Sequence, residues 1–145
     1  MDNLEYQSTA KNPFIDRVDV ELKRAQRYQI FISLLVYDLS FLQNLDIDDY
    51  DQLHKDILGL VAQKIRAIDD VTLLDSSKIA FLLPETNRQG AEIASRRISS
   101  VLKEYFSEGK NKEIEDVITP EMSSYPDAAG TKSIKDFLMD YNSVI

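Results

Sequence analysis

The sequence predicts an α+β domain in which a mixed sheet is covered by helices. Three observations carry this. The run Ile30 to Leu39 is nearly all apolar and rich in branched residues, as a strand buried on both faces requires. Three long segments repeat apolar residues at helical spacing. Between the last two of these, LLDSSKIAFLLPE (Leu73 to Glu85) reads as two strands joined by a tight polar turn. The order helix, strand, helix, helix, hairpin, helix, strand, helix suits helices packed on a sheet.

Phe14, Val18, Leu22 and Ala25 place the first helix over residues 12 to 28. After the buried strand, Phe41, Leu42 and Leu45 predict a short turn of helix, followed by the acidic loop DIDDYD. Leu53, Ile57, Val61, Ile65 and Ile68 form the stripe of a second long helix. In the hairpin, Asp75-Ser76-Ser77-Lys78 makes the turn. Pro84 stops the second strand because proline cannot donate to a ladder. Thr86 with Gln89 predicts a capping box for a third helix, with Ala91, Ala94, Ile98, Val101 and Tyr105 on one face. SEGKNKE is a turn-rich loop. Residues 115 to 126 supply one more strand, which Pro120 makes an edge or a broken one. Ser133 with Asp136 caps a last helix containing Ile134, Phe137, Leu138 and Tyr141. Neither an internal repeat nor a low-complexity linker divides the chain. One domain over residues 1–145 is expected, with 1–11 as a flexible lead.

Composition narrows the function. The 145 residues are 43% hydrophobic, enough for a proper core. No apolar run has the length to cross a bilayer, and the N-terminus lacks the pattern of a secretory signal. The absence of cysteine excludes disulfides, thiolate metal sites and cysteine nucleophiles, and it fits a cytoplasmic location. A formal charge of −8 argues against nucleic acid as a partner, though a few local arginines can hold a compact anion.

Several polar clusters read as solvated surface. His54, the only histidine, faces away from the apolar stripe of its helix. DIDDYD lacks the glycine of a calcium loop, and Ile57 stands where the bidentate glutamate should be. Lys23, Arg24 and Arg27 form a small basic cluster on a helix. Two features stand above this background. Asp38 follows the buried strand, a common place for a metal-binding carboxylate, or for a residue that caps the short helix after it. Arg66 and Asp69, three apart near a helix end, share one face. As a surface ion pair they are worth about 0.5 kcal/mol.

Four segments together resemble GGDEF domains, the family of diguanylate cyclases. FIDRVDVELKRAQRYQIFISLLVYDLS is similar to the family's first helix, buried strand and strand-end aspartate. KIAFLLPET matches the segment after the signature. IASRRI resembles the alanine-glutamate-arginine pattern of the next helix, and SSYPDAAGTKSIKDFL resembles the closing tyrosine-proline, loop and helix. The implied fold is a central, mostly antiparallel sheet of about five strands wrapped by helices, like a nucleotidyl-cyclase palm.

The resemblance lays Asp75-Ser76-Ser77-Lys78-Ile79 over the five signature positions. In the family, paired glycines let backbone N–H groups approach the phosphates of GTP. The acidic third position, with the strand-end aspartate, holds magnesium. Here Asp75 and Ser76 stand for the glycines, Ser77 for the metal-binding acid and Lys78 for the fourth position. Ile79 alone keeps the type. Asp38 is then vestigial, since one carboxylate is a poor two-metal site. The family's guanine-binding asparagine maps onto Asp46, beside Asn44, and Asp56 falls near its second guanine contact. The family's triphosphate-binding lysine and arginine lie beyond Ile145. The implied reading is a degenerate, non-enzymatic domain needing no metal and no cofactor.

The family's inhibitory site for cyclic di-GMP is an arginine-x-x-aspartate just before the signature, plus an arginine on the following helix. Arg66, Asp69 and Arg97 fall on those positions. Arginine suits such a ligand because its fork can bind guanine O6 and N7, and its plane can stack. Arg66 and Arg97 would grip guanine and phosphate, and Asp69 would accept from a guanine N–H. The alternative is a ligand-free module for dimerisation or for docking a protein partner or other domains of a larger signalling protein. An active cyclase ranks last.

Overall fold

The computed structural model describes residues 12–41, 50–75, 77–108, 118–126 and 132–142. The elements run α1 (Pro13–Tyr28), β1 (Ile32–Asp38), α2 (Tyr50–Ala62), β2 (Asp70–Asp75), β3 (Lys78–Pro84), α3 (Arg88–Glu108), β4 (Pro120–Tyr125) and α4 (Ile134–Asn142). Every strand neighbour is antiparallel, in the order β2-β3-β1-β4. The mixed sheet first expected is therefore antiparallel throughout, with four strands among the described residues rather than about five.

The apolar run of β1 is explained by its two faces. Leu35 and Tyr37, with Ile79, Phe81 and Leu83 of β3, pack under α2 and α3. Ile32, Leu34 and Val36, with Ala80 and Leu82, pack under α1 and α4. Successive side chains alternate between faces, so a central strand with helices on both sides has no polar positions to spare. β1 pairs with β3 from Ile32↔Pro84 to Asp38↔Lys78, which brings the start of β1 to the end of the hairpin.

Local chemistry sets the ends. Asn12 accepts from the Ile15 N–H at 3.2 Å, and Pro13 follows at the first helical position. Asp136 N–H donates to Ser133 Oγ, as the cap of α4 requires. Pro120 is the first residue of β4, which lies at the edge of the sheet among the described residues, a position open to proline. Two expectations fail. The second long helix ends at Ala62, not near Ile68. Gln63 and Lys64 bond back to Leu60 and Val61, tightening the last turn, and Ile68 is 44% exposed. The cap of α3 is Asn87, whose Oδ1 accepts from Gly90 N–H, and not Thr86. Leu42, Leu45, most of DIDDYD, residues 115–117 and the 1–11 lead lie outside the described residues. No helix among the described residues is long and apolar enough to cross a membrane.

One buried polar contact fixes α3 to the sheet. Tyr37 donates its hydroxyl proton to Ser95 O at 3.0 Å, so the Ser99 hydroxyl, at 2.9 Å, is the donor to Tyr37. Burial pushes the phenol up to about 12, against the hydrogen bond from Ser99. A raised folded-state pKa holds its full stabilisation below the unfolded value near 10 and loses it as pH rises towards 12. Above pH 10 the urea midpoint of the wild type should therefore fall more steeply than that of Tyr37→Phe. Parallel slopes would contradict this.

Candidate functional site

Arg66 and Asp69 form the turn between α2 and β2, not the helix face first expected. The turn closes twice. Asp69 N–H donates to Arg66 O at 3.0 Å, and Arg66 N–H donates to Asp69 Oδ2 at 2.8 Å. Arg66 Nε lies 3.2 and 3.1 Å from Oδ1 and Oδ2, and Nη2 lies 2.8 Å from Oδ1. The Asp69 side chain is 3% exposed and the Arg66 side chain 47%. This bidentate grip raises the Arg66 pKa further, so the guanidinium keeps its charge. Both Asp69 oxygens are thus occupied by Arg66, which makes the carboxylate the holder of the arginine.

The same guanidinium ties the turn to the end of β3. Besides Asp69 Oδ1, Nη2 lies 2.9 Å from Pro84 O and 2.5 Å from Thr86 Oγ1, so its two protons are shared among three acceptors. Thr86 is buried, and its own hydroxyl donates to Pro84 O. Its carbonyl accepts from Ser33 Oγ of β1 at 2.8 Å. Gly90 lets α3 seat on this threonine, since a Cβ there would meet Thr86 Cγ2 at 2.9 Å. Sequence reading took Thr86 for a cap. Its true partner is twenty residues away, and no local pattern signals it. Thr86→Val keeps the shape and removes the acceptor, which should cost about 1 kcal/mol by urea denaturation. Thr86→Ser should restore most of it.

These contacts frame a cavity of about 370 Å³. Arg66 and Asp69 line it from the turn, Glu85 and Thr86 from the end of β3, and Arg97 from α3. Glu85 turns the chain with φ at 53°, a left-handed conformation unusual outside glycine. Its charge lies close enough to Arg66 to raise that group's pKa as well. Phe31 and Ile93, 48% and 53% exposed, add an apolar rim. The structure therefore brings Arg66, Asp69 and Arg97 to one cavity.

The signature positions lie elsewhere. Asp38 sits at the other end of β1, about 23 Å along the chain from Phe31. Its Oδ1 accepts from Ser40 N–H at 2.8 Å, so it caps the turn after the strand. That bond, the Ser40 hydroxyl and the charge of cross-strand Lys78 hold its carboxyl below the usual range. Asp75 Oδ1 accepts from Ser77 N–H and Oγ at 2.8 and 3.0 Å, a local turn bond. Leu39 N–H donates to Ser77 O at 2.6 Å. Lys78 and Ile79 open β3, with Ile79 buried; Ser76 is outside the described residues. No group of three or more acids, histidines or cysteines able to hold a metal occurs among the described residues. Asp56, exposed on α2, accepts from Gln52 at 2.9 Å, while Asn44 and Asp46 are outside the described residues. In the basic cluster, Lys23 pairs with Asp19, Arg24 with Glu21, and Arg27 lies over Tyr28.

No family model and no curated protein matches the chain. Solved structures do. The active GGEEF domain of a diguanylate cyclase from Vibrio cholerae is 18% identical with TM-score 0.57, over 81% of this chain and 75% of that one. The GGDEF domain of TpbB (YfiN) from Pseudomonas aeruginosa is 17% identical with TM-score 0.63, over 89% and 77%. Diguanylate cyclase SiaD from the same organism, solved with its activator SiaC, is 15% identical with TM-score 0.62, over 92% and 54%. Likeness at this identity establishes a shared fold.

Proposed function

We propose that this chain, whose fold is that of GGDEF domains, is a non-catalytic cytoplasmic regulatory domain that binds cyclic di-GMP in the Arg66 cavity. The observation that carries the proposal is the convergence of Arg66 and Arg97 on one cavity with apolar walls. A cyclic dinucleotide offers two phosphates and flat guanine edges. Among the described residues, the bonds to Asp69, Pro84 and Thr86 use Arg66 Nε and Nη2, which leaves Nη1 and the guanidinium plane for the ligand. Arg97 supplies the second cation, and Phe31 a ring for stacking. Asp69 acts by holding Arg66 rather than by accepting from guanine.

The non-catalytic half rests on residue chemistry. Carboxylate and hydroxyl side chains stand where phosphate needs bare backbone, Lys78 faces Asp38, and Asp38 is engaged by Ser40. Calorimetry with cyclic di-GMP up to high micromolar should give a saturable heat. Incubation with GTP and magnesium should give no cyclic dinucleotide by chromatography. A product peak would end the non-catalytic reading. No heat would leave a ligand-free interaction or dimerisation module, which the exposed Phe31 and Ile93 favour.

A further inference from the structure

Glu85 lines the Arg66 cavity, and its backbone there is left-handed, with φ at 53°. Glycine adopts that conformation freely, whereas a side chain such as glutamate is strained in it. Both neighbours hold the turn in place. Pro84 pairs with Ile32 of β1, and the Thr86 carbonyl accepts from Ser33 Oγ. The side chain itself is exposed rather than packed. Among the described residues, no hydrogen bond or ion pair engages its carboxylate. For the fold alone, glycine would serve better at this position. A strained residue held from both sides at the wall of a cavity points to a role in binding.

The charge of Glu85 does not suit phosphate, which it repels. It suits a ligand edge made of donors, because a carboxylate is an acceptor only. Guanine has such an edge: N1–H and the N2 amino group lie side by side, and two carboxylate oxygens can accept from both. O6, an acceptor that arginine takes, is adjacent to N1 on the same ring. A side chain that reads O6 and one that reads N1–H must therefore be neighbours. Arg66 and Glu85 are: both line the cavity, and the carboxylate lies close enough to raise the Arg66 pKa. Asp69 is already committed, with both oxygens engaged by Arg66.

We infer that Glu85 is the base-reading residue of the Arg66 cavity, accepting from N1–H and the N2 amino group of a guanine and so selecting guanine over adenine. The inference rests on the Arg66 reading and adds the choice of base to it. Adenine would turn its N1 lone pair towards the carboxylate and offers no N2 amino group. Hypoxanthine keeps N1–H and lacks the amino group, so it should bind between the two.

The test is calorimetry with cyclic di-GMP, cyclic di-IMP and cyclic di-AMP on wild type, Glu85→Gln and Glu92→Gln. Glu92 lies on α3, pairs with Arg88 and does not line the cavity, so its variant controls for the loss of one charge. Wild type and Glu92→Gln should bind cyclic di-GMP most tightly and cyclic di-AMP at least about tenfold more weakly, the discrimination of a bidentate base contact. The amide of Glu85→Gln can donate to adenine N1 and accept from its N6 amino group. This variant should lose about tenfold for cyclic di-GMP and bind cyclic di-AMP within about threefold of it. Guanine preference unchanged in Glu85→Gln would overturn the inference. Equal wild-type affinity for cyclic di-GMP and cyclic di-AMP would do so without any variant. If Arg66→Ala still abolishes binding in either case, the Arg66 reading stands and the base-reading role alone falls. Failure of the wild type to bind cyclic di-GMP would refute both.

Discussion

Arg66→Ala should weaken cyclic di-GMP binding by about a hundredfold, close to loss of measurable heat. Charge-assisted hydrogen bonds contribute about 1.5–3 kcal/mol each, and losing about 2.8 kcal/mol is a factor of about 100. The truncation also strips the Asp69 carboxylate, 3% exposed in the wild type, of its guanidinium partner. Some loss of stability will follow, so the titration is run well below the variant's unfolding transition. Two further variants separate binding from folding. Arg97→Ala removes the second cation without touching Asp69, and should weaken the ligand with little change in urea midpoint. Arg66→Lys keeps the charge but cannot reproduce the fork that meets Asp69, Pro84 and Thr86. It should bind nearly as poorly as alanine. Wild-type affinity in either Arg66 variant would sink the site.

Phe81→Ala should cost about 3–5 kcal/mol, the usual penalty for emptying a buried phenylalanine. Against a typical stability of about 5–15 kcal/mol this is a large share. Phe81 is fully buried in the middle of β3, opposite Leu35 of β1, and meets the Tyr37 ring edge-on with centroids 5.7 Å apart. α2 and α3 close over it, so the space it leaves cannot collapse without moving both helices. The urea midpoint should fall by about 2 M. A drop of a few tenths would mean that this face of the sheet is loosely packed. Because Leu83, two residues on, lines the Arg66 cavity, ligand affinity offers a second readout of the same disturbance.

The elements most legible in the sequence were those whose signal is local. β1 announced itself because both its faces are covered, and Ser133 sits where a cap must sit. Arg66 and Asp69 were legible as a pair, but their setting was misread. Ile65 and Ile68 continue the helical period past Ala62, and no glycine or proline marks the stop in QKIRAIDD. The helix ends there because Gln63 and Lys64 tighten the last turn and Asp69 captures the Arg66 N–H. Ile65 still packs on the core, so it kept its apolar character without being helical.

Residue type and spacing determined which faces are buried and that a polar break separates the two strands of the hairpin, and the family resemblance made Arg66 and Arg97 candidates to grip a ligand. Tertiary structure decided the rest. It made Asp69 the holder of Arg66 and recruited Thr86 as a second support. The physical reason is distance along the chain. Burial and turns follow from neighbours within a few residues. The site forms where the β1–β3 register and the close seating of Gly90 on Thr86 bring α3 to the end of the hairpin, and no local pattern encodes that meeting.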